Sequence, residues 1–359
     1  MEVFRTREEL QNQGLGIRPF NDECFRRVEE GFDSIAKPIR GLGELEELIA
    51  KIGGIRHTDR VSIKNRSLLL FVSDNGIVEE GVSQCGAEVT HAVAEMIGNN
   101  KSLSKILADK TDTKLIPVDI GMKGEPVNGL IYRRIREGTR NFSKHKAMTE
   151  TETLKAIETG FNEAGKIIDN GADILLLGEM GIGNTSSATA LSCALLKADP
   201  KAMTGYGAGL SEEGKIRKST VINDALNMHN IDPNDPFEAL SAFGGYDIAG
   251  MVGAILKCAK SGIPVCLDGL VTLSALLTAD KLFPGAVKTA IPSNEPKEPM
   301  GKAILRELKL SGVINASLSN GEGLGGLLLL PLLDSCLSVY YEGLRFKDVR
   351  IEPYERFKA

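Results

Sequence analysis

Five short apolar runs constrain this chain more than any other feature. They lie at residues 67–72, 114–120, 173–177, 264–267 and 286–291. Each has the length of a buried strand rather than of a helix. Longer stretches with helical spacing separate them, at 88–108, 151–170, 186–196, 215–227 and 247–261. Strands alternating with helices predict an α/β fold, a mostly parallel Rossmann-like sheet with helices on both faces.

The ends of the chain read differently. Asn21 is placed to cap a helix running to about Phe32, with Asp22 and Glu23 in its first turn. Leu42, Leu45, Ile49 and Ile52 recur at helical spacing after a Lys37-Pro38-Ile39-Arg40-Gly41 turn. Residues 300–308 look helical. Residues 325–341 look like one long apolar helix in which Pro331 marks either a kink or a first turn. The expected organisation is an α/β catalytic domain at 60–300. Segments 1–59 and 301–359 form a smaller helical domain that returns the loop around Glu322 to the active site.

Composition excludes several functions. The 359 residues are 42% hydrophobic, enough for a packed core, and the net charge of −5 comes without a basic stripe. Nucleic-acid binding and attachment to anionic membranes are therefore not expected. The start of the chain lacks the apolar stretch of a secretory signal. The strongly apolar run near 327–333 is broken by Pro331 and is shorter than the roughly 20 residues of a membrane span. Six scattered cysteines without a CxxC pair read as reduced thiols of a cytoplasmic protein. Four histidines without HxxxH spacing give no expected metal site. No cofactor is expected either.

Three glycine-rich stretches carry the chemistry. The first is Gly178-Glu179-Met180-Gly181-Ile182-Gly183-Asn184-Thr185, between an apolar strand and a helix rich in Ala and Ser. Glycines there let a ligand approach the backbone, and free N–H groups at the helix start favour an anion. The alternative is a tight strand–helix turn with a Thr or Ser cap. The glycine spacing matches neither a dinucleotide fingerprint nor a Walker loop. The second stretch, Thr204-Gly205-Tyr206-Gly207-Ala208-Gly209, precedes Lys215, Arg217 and Lys218. It suits a phosphate ester, or else is a loop beside a solvated basic helix face. The third, Ser319-Asn320-Gly321-Glu322-Gly323, sets one carboxylate before an apolar helix. Desolvation there should raise its pKa and fit it as a general base, or it is simply an acid favoured by the helix dipole. Asp74 and Asp268 also follow strands and read as turn-forming residues. No GxSxG motif is present, so a triad hydrolase is not expected.

In order along the chain, these stretches resemble the nicotinate-nucleotide:dimethylbenzimidazole phosphoribosyltransferase family. The likeness includes Gly41-Leu42-Gly43-Glu44-Leu45-Glu46, Asp74-Asn75-Gly76, Glu80-Gly81-Val82, the 178–185 run, Gly244-Gly245-Tyr246-Asp247, Leu267-Asp268-Gly269 and Gly321-Glu322-Gly323. The resemblance implies transfer of 5-phosphoribose from nicotinate mononucleotide to an aromatic base, with an α-glycosidic bond, for the nucleotide loop of a cobamide. It implies Glu322 as general base. It places Glu179, Gly181, Gly183, Asn184, Asn320 and Gly321 at the nucleotide, and Gly207 and Lys218 at the phosphate.

Departures cluster at the expected acceptor pocket. Asn75 replaces a histidine common in the family, and Cys85-Gly86 replaces a Ser-Pro or Tyr-Pro pair. Val93 stands where some relatives have glutamine, and Ser293-Asn294-Glu295-Pro296 replaces a Ser-His-x-Ser stretch. The acceptor therefore stays open between phenol or p-cresol and dimethylbenzimidazole. A branch of the family acts on the phenols as two related subunits, so a homodimer or a heterodimer with a homologous subunit is expected. Two other readings are a non-catalytic subunit of such a heterodimer and a nucleotide-dependent dehydrogenase.

Overall fold

The computed structural model describes residues 3–12 and 16–354. The chain opens with α1 (Arg7–Asn12), α2 (Asp22–Asp33) and α3 (Glu44–Arg56), followed by β1 (Arg66–Ser73). Then come α4 (Glu88–Gly98), α5 (Leu103–Lys110), β2 (Thr113–Gly121), β3 (Ile131–Tyr132), α6 (Glu150–Asp169) and β4 (Ile174–Met180). α7 (Asn184–Leu196), α8 (Pro200–Met203), α9 (Glu212–His229), α10 (Pro236–Phe243) and α11 (Tyr246–Ser261) lead to β5 (Val265–Leu267). α12 (Gly269–Leu282), β6 (Ala290–Pro292), α13 (Pro299–Glu307), α14 (Leu324–Glu342) and α15 (Phe346–Val349) complete the order.

The six strands form one parallel sheet in the order β3-β2-β1-β4-β5-β6. This is the doubly wound arrangement, and the strand order reverses between β1 and β4. A crevice opens at such a switch point, outside the carboxyl ends of the strands. The central stretches of β1 and β4 are apolar because both faces of the sheet are covered there. In β1, Leu69 and Phe71 join the core beneath α6, α7, α11 and α12, whereas Leu68 points into the core built with α2, α3 and α14. Helices from both ends of the chain thus cover one face together.

Most expected elements are present with shifted ends. Asn21 caps α2 by accepting the Cys24 N–H at 2.9 Å. α6 begins at a Thr149/Glu152 capping box, slightly before the expected start. The single helix expected at 88–108 is two, broken at Asn99 and Asn100, with Asn100 at φ 59° and Ser102 capping α5. The run at 286–291 is mostly a 3₁₀ turn, and only Ala290–Pro292 is strand. α10 and α12 were not expected; α12 is buried along most of its length, which removes the polar stripe that reveals a helix. Pro331 lies inside α14, not in its first turn. α14 is long and apolar enough to cross a membrane by length and composition, but its Leu327, Leu330, Leu333 and Leu337 pack into the core.

Candidate functional site

A cavity of about 320 Å³ lies at the carboxyl ends of β4, β5 and β6. Its floor is built where the segment before α14 crosses the end of β4. The Glu322 N–H donates to the Glu179 carbonyl at 3.0 Å. Gly178 permits this crossing, because a Cβ there would stand 2.7 Å from both the Glu322 carbonyl carbon and the Gly323 nitrogen. Glu322 itself takes a left-handed backbone, φ 62°, followed by Gly323 at φ 76°. For a non-glycine residue that conformation costs on the order of 1–3 kcal/mol and persists only where the surroundings enforce it. The side chain is buried, and Ser104 on α5 donates to its Oε2 at 3.0 Å.

The start of α14 is satisfied by another acid. The Asp268 carboxylate, directly after β5, faces the start of α14, where the backbone N–H groups of Gly323, Leu324 and Gly325 favour its charged form. Gly325 allows that approach, since its Cβ would stand 2.7 Å from Asp268 Oδ1. Asp268 therefore does what the helix-dipole reading gave to Glu322, and the Glu322 carboxylate is left to the cavity and Ser104. Asp268 Oδ2 is buried with no hydrogen-bond partner among the described residues.

Glu322 stands among several acids. Asn184, the first residue of α7, donates to Glu179 Oε2 and reaches Asp247 Oδ2 at 3.4 Å. Burial, then the charges of Asp247 and Asp268, hold the Glu179 carboxyl well above the usual range. Burial raises Asp247 and Asp268 to about 7 each. Acids held back from ionising by burial ionise more readily when a species beside them gains positive charge, and stabilise it in return.

Behind Thr185, which lines the cavity, lies a buried cation. Lys218 on α9 is fully buried and donates to Thr185 Oγ1 at 2.9 Å. Burial lowers it to about 8, against the opposing charge of Glu298. Gly207, at φ 54°, leaves its Cα face against both groups: a Cβ there would stand 3.1 Å from Thr185 Oγ1 and 3.5 Å from Lys218 Nζ. A third part of the wall is apolar, made by Val89 and Val93 on α4 with Cys85, Ile182 and Leu318.

Glu179, Gly181, Asn184, Gly207, Asn320, Gly321, Glu322, Cys85 and Val93 thus share one cavity. Lys218 reaches it through Thr185. Gly183 makes the turn into α7 at φ 92° and does not line the wall. Asn75 lies outside the wall as well. Ser187 holds its Oδ1 at 2.9 Å, and a Cβ on Gly181 would stand 3.3 Å from its Nδ2. Asp268, Thr185 and Glu298 line the site and were not singled out as site residues. Only the position of Asp268 at a strand end hinted at its place. A larger groove, about 680 Å³, lies at the amino ends of β1 and β2 near Lys64, Arg66 and Lys114. It contains none of these residues, and sheets of this kind bind ligands at the other end.

Comparison with known proteins places the chain in a family and matches its fold. A phosphoribosyltransferase family model matches residues 17–351. The nicotinate-nucleotide–dimethylbenzimidazole phosphoribosyltransferase of Ruminiclostridium cellulolyticum is 35% identical over 340 residues, 94% of this chain and 97% of the relative. The protein of the same name from Clostridium acetobutylicum is 33% identical over 351 residues, 97% and 99% of the two chains. The crystal structure of CobT from Thermus thermophilus superposes with a TM-score of 0.87 at 30% identity, covering 92% of this chain and 100% of that one.

Proposed function

The chain belongs to the nicotinate-nucleotide–dimethylbenzimidazole phosphoribosyltransferase family, and from that premise we propose that it is a pentosyltransferase acting on nicotinate mononucleotide. The bond from C1′ to the nicotinate nitrogen breaks, and nicotinate leaves with that electron pair. A bond from C1′ to the acceptor forms on the opposite face of the ribose, giving the α product. The acceptor's proton passes to Glu322. The product enters the nucleotide loop of a cobamide.

The observation that carries this reading is the Glu322 carboxylate, held by Ser104, on a residue that lines one cavity with the apolar Val89 and Val93 and the acids Glu179 and Asp268. A general base needs such a fixed place within reach of the acceptor. The neighbouring carboxylates suit a sugar carbon that becomes positive as nicotinate departs. The Gly207 amide and Lys218 suit the 5′-phosphate, the lysine as a point charge and the amide as an oriented donor. Gly181, Asn184, Asn320 and Gly321 line the path between phosphate and base.

Dimethylbenzimidazole is the acceptor in the relatives' names. Phenol or p-cresol is a second reading, favoured by the wall itself. Cys85, Val89 and Val93 offer no amide or hydroxyl to a second heteroatom. A phenol loses its proton and forms its bond through one oxygen, so a single carboxylate serves it. With a pKa near 10 it also depends on a base. Incubation with nicotinate mononucleotide and each acceptor, read by mass spectrometry of the riboside phosphate, tests both readings. Product with the phenols supports the second, product with dimethylbenzimidazole alone removes it, and product with none removes the function.

We propose further that the enzyme works as a homodimer or beside a homologous subunit. All six cysteines are free thiols, which fits a reducing cytoplasm. The non-catalytic alternative predicts that Glu322→Gln has no effect on turnover of the assembled enzyme. Family membership leaves the dehydrogenase reading without support.

A further inference from the structure

Glu298 stands where an anion belongs. It immediately precedes α13 and lines the cavity together with Thr185, Gly207 and Ala208. Its Oε1 accepts the Gly207 N–H at 3.0 Å. Its Oε2 is buried with no hydrogen-bond partner among the described residues. Gly205 leaves room for it, because a Cβ there would collide with the same carboxylate. The charge of Glu298 also opposes the desolvation of Lys218, which is buried behind Thr185.

The two groups assigned above to the 5′-phosphate, the Gly207 amide and the Lys218 ammonium, thus already answer to a carboxylate. An ionised carboxylate only accepts hydrogen bonds, so it has nothing to donate to a phosphate oxygen. A phosphate dianion and this carboxylate repel each other at such short range. They cannot hold the same amide together. The dianion brings twice the charge to Lys218, and a chloride or carboxylate ion does not.

We propose that Glu298 is a resident stand-in for the nucleotide's phosphate: its carboxylate holds the Gly207 amide and balances Lys218 until a phosphate monoester displaces it. Glu298 is then a specificity-determining residue. It makes the subsite selective for a dianion over weaker anions and sets nucleotide affinity below what amide and lysine alone would give. The inference rests on the placement of the phosphate at Gly207 and Lys218.

Calorimetric titration of the full chain with inorganic phosphate, nicotinate mononucleotide and nicotinate riboside tests it in wild type, Glu298→Gln and Lys218→Met. Gln can still accept the Gly207 N–H, so the substitution removes charge and keeps the contact. Glu298→Gln is expected to bind phosphate and the mononucleotide on the order of tenfold tighter, with a smaller change for the riboside. Glu298→Ala should move the same way and serves if the first variant misfolds. Equal or weaker phosphate binding in both Glu298 variants, with phosphate binding lost in Lys218→Met, overturns the stand-in and leaves the phosphate site in place. Unchanged phosphate and mononucleotide binding in Lys218→Met overturns the phosphate site itself.

Discussion

Ser104 donates a 3.0 Å hydrogen bond to Oε2 of Glu322 across a sequence separation of 218 residues. Ser104 lies in the first turn of α5, is fully buried, and shares a 2.8 Å hydrogen bond with the cap residue Ser102. The break between α4 and α5 therefore has a consequence at the site: it points a helix start, and a hydroxyl, at the candidate base.

Ser104→Ala removes that donor and leaves the fold's larger contacts alone. A hydrogen bond to a charged group contributes about 1.5–3 kcal/mol. Steady-state kinetics should show kcat/KM falling by roughly tenfold or more. Wild-type kcat/KM in the variant would mean that Glu322 is held by its backbone alone.

Gly178→Ala puts a methyl group into the Glu322–Gly323 backbone, which crosses 2.7 Å from its position. Neither side is a flexible side chain, so the segment must shift. Urea denaturation should register a loss of about 1–3 kcal/mol, and transfer activity should fall with it. A variant as stable and active as wild type would show that the crossing is looser than described.

Asp247 and Asp268 make stability depend on pH. Each titrates at about 7 in the folded chain, chiefly through burial, against about 3.9 when unfolded. Between these values the unfolded chain releases protons that the folded chain keeps. Their contribution to stability is complete below about pH 4 and is lost as pH rises to about 7, by at most about 1.4 kcal/mol per pH unit for each group. Asp247→Asn removes one of them. Urea midpoints taken at pH 5 and pH 8 should fall less steeply in the variant than in wild type. Equal slopes would contradict the assignment.

What the sequence revealed and concealed follows from how each group is held. The strands were legible because a buried parallel strand is a short apolar run, as in 67–72 and 173–177. Glu322 was legible because glycines frame it. Asp268 read as a turn residue, since its partners, the N–H groups of Gly323 to Gly325, are distant in sequence and meet it only through β5 and α14 packing. Glu298 had no local signal either: its partner Gly207 is 91 positions away. The Asn99-Asn100 pair and Ser102 did mark the break in the helix expected at 88–108, but the apolar spacing on either side masked it.

The central claim is that Glu322 takes the acceptor's proton. Single-turnover transfer from nicotinate mononucleotide to the preferred acceptor, in wild type and Glu322→Gln with mononucleotide affinity measured alongside, tests it most directly. The account predicts a rate on the order of 10²–10⁴-fold lower in the variant, the usual range for a lost general base, with nucleotide binding retained. Transfer at the wild-type rate in Glu322→Gln would contradict it.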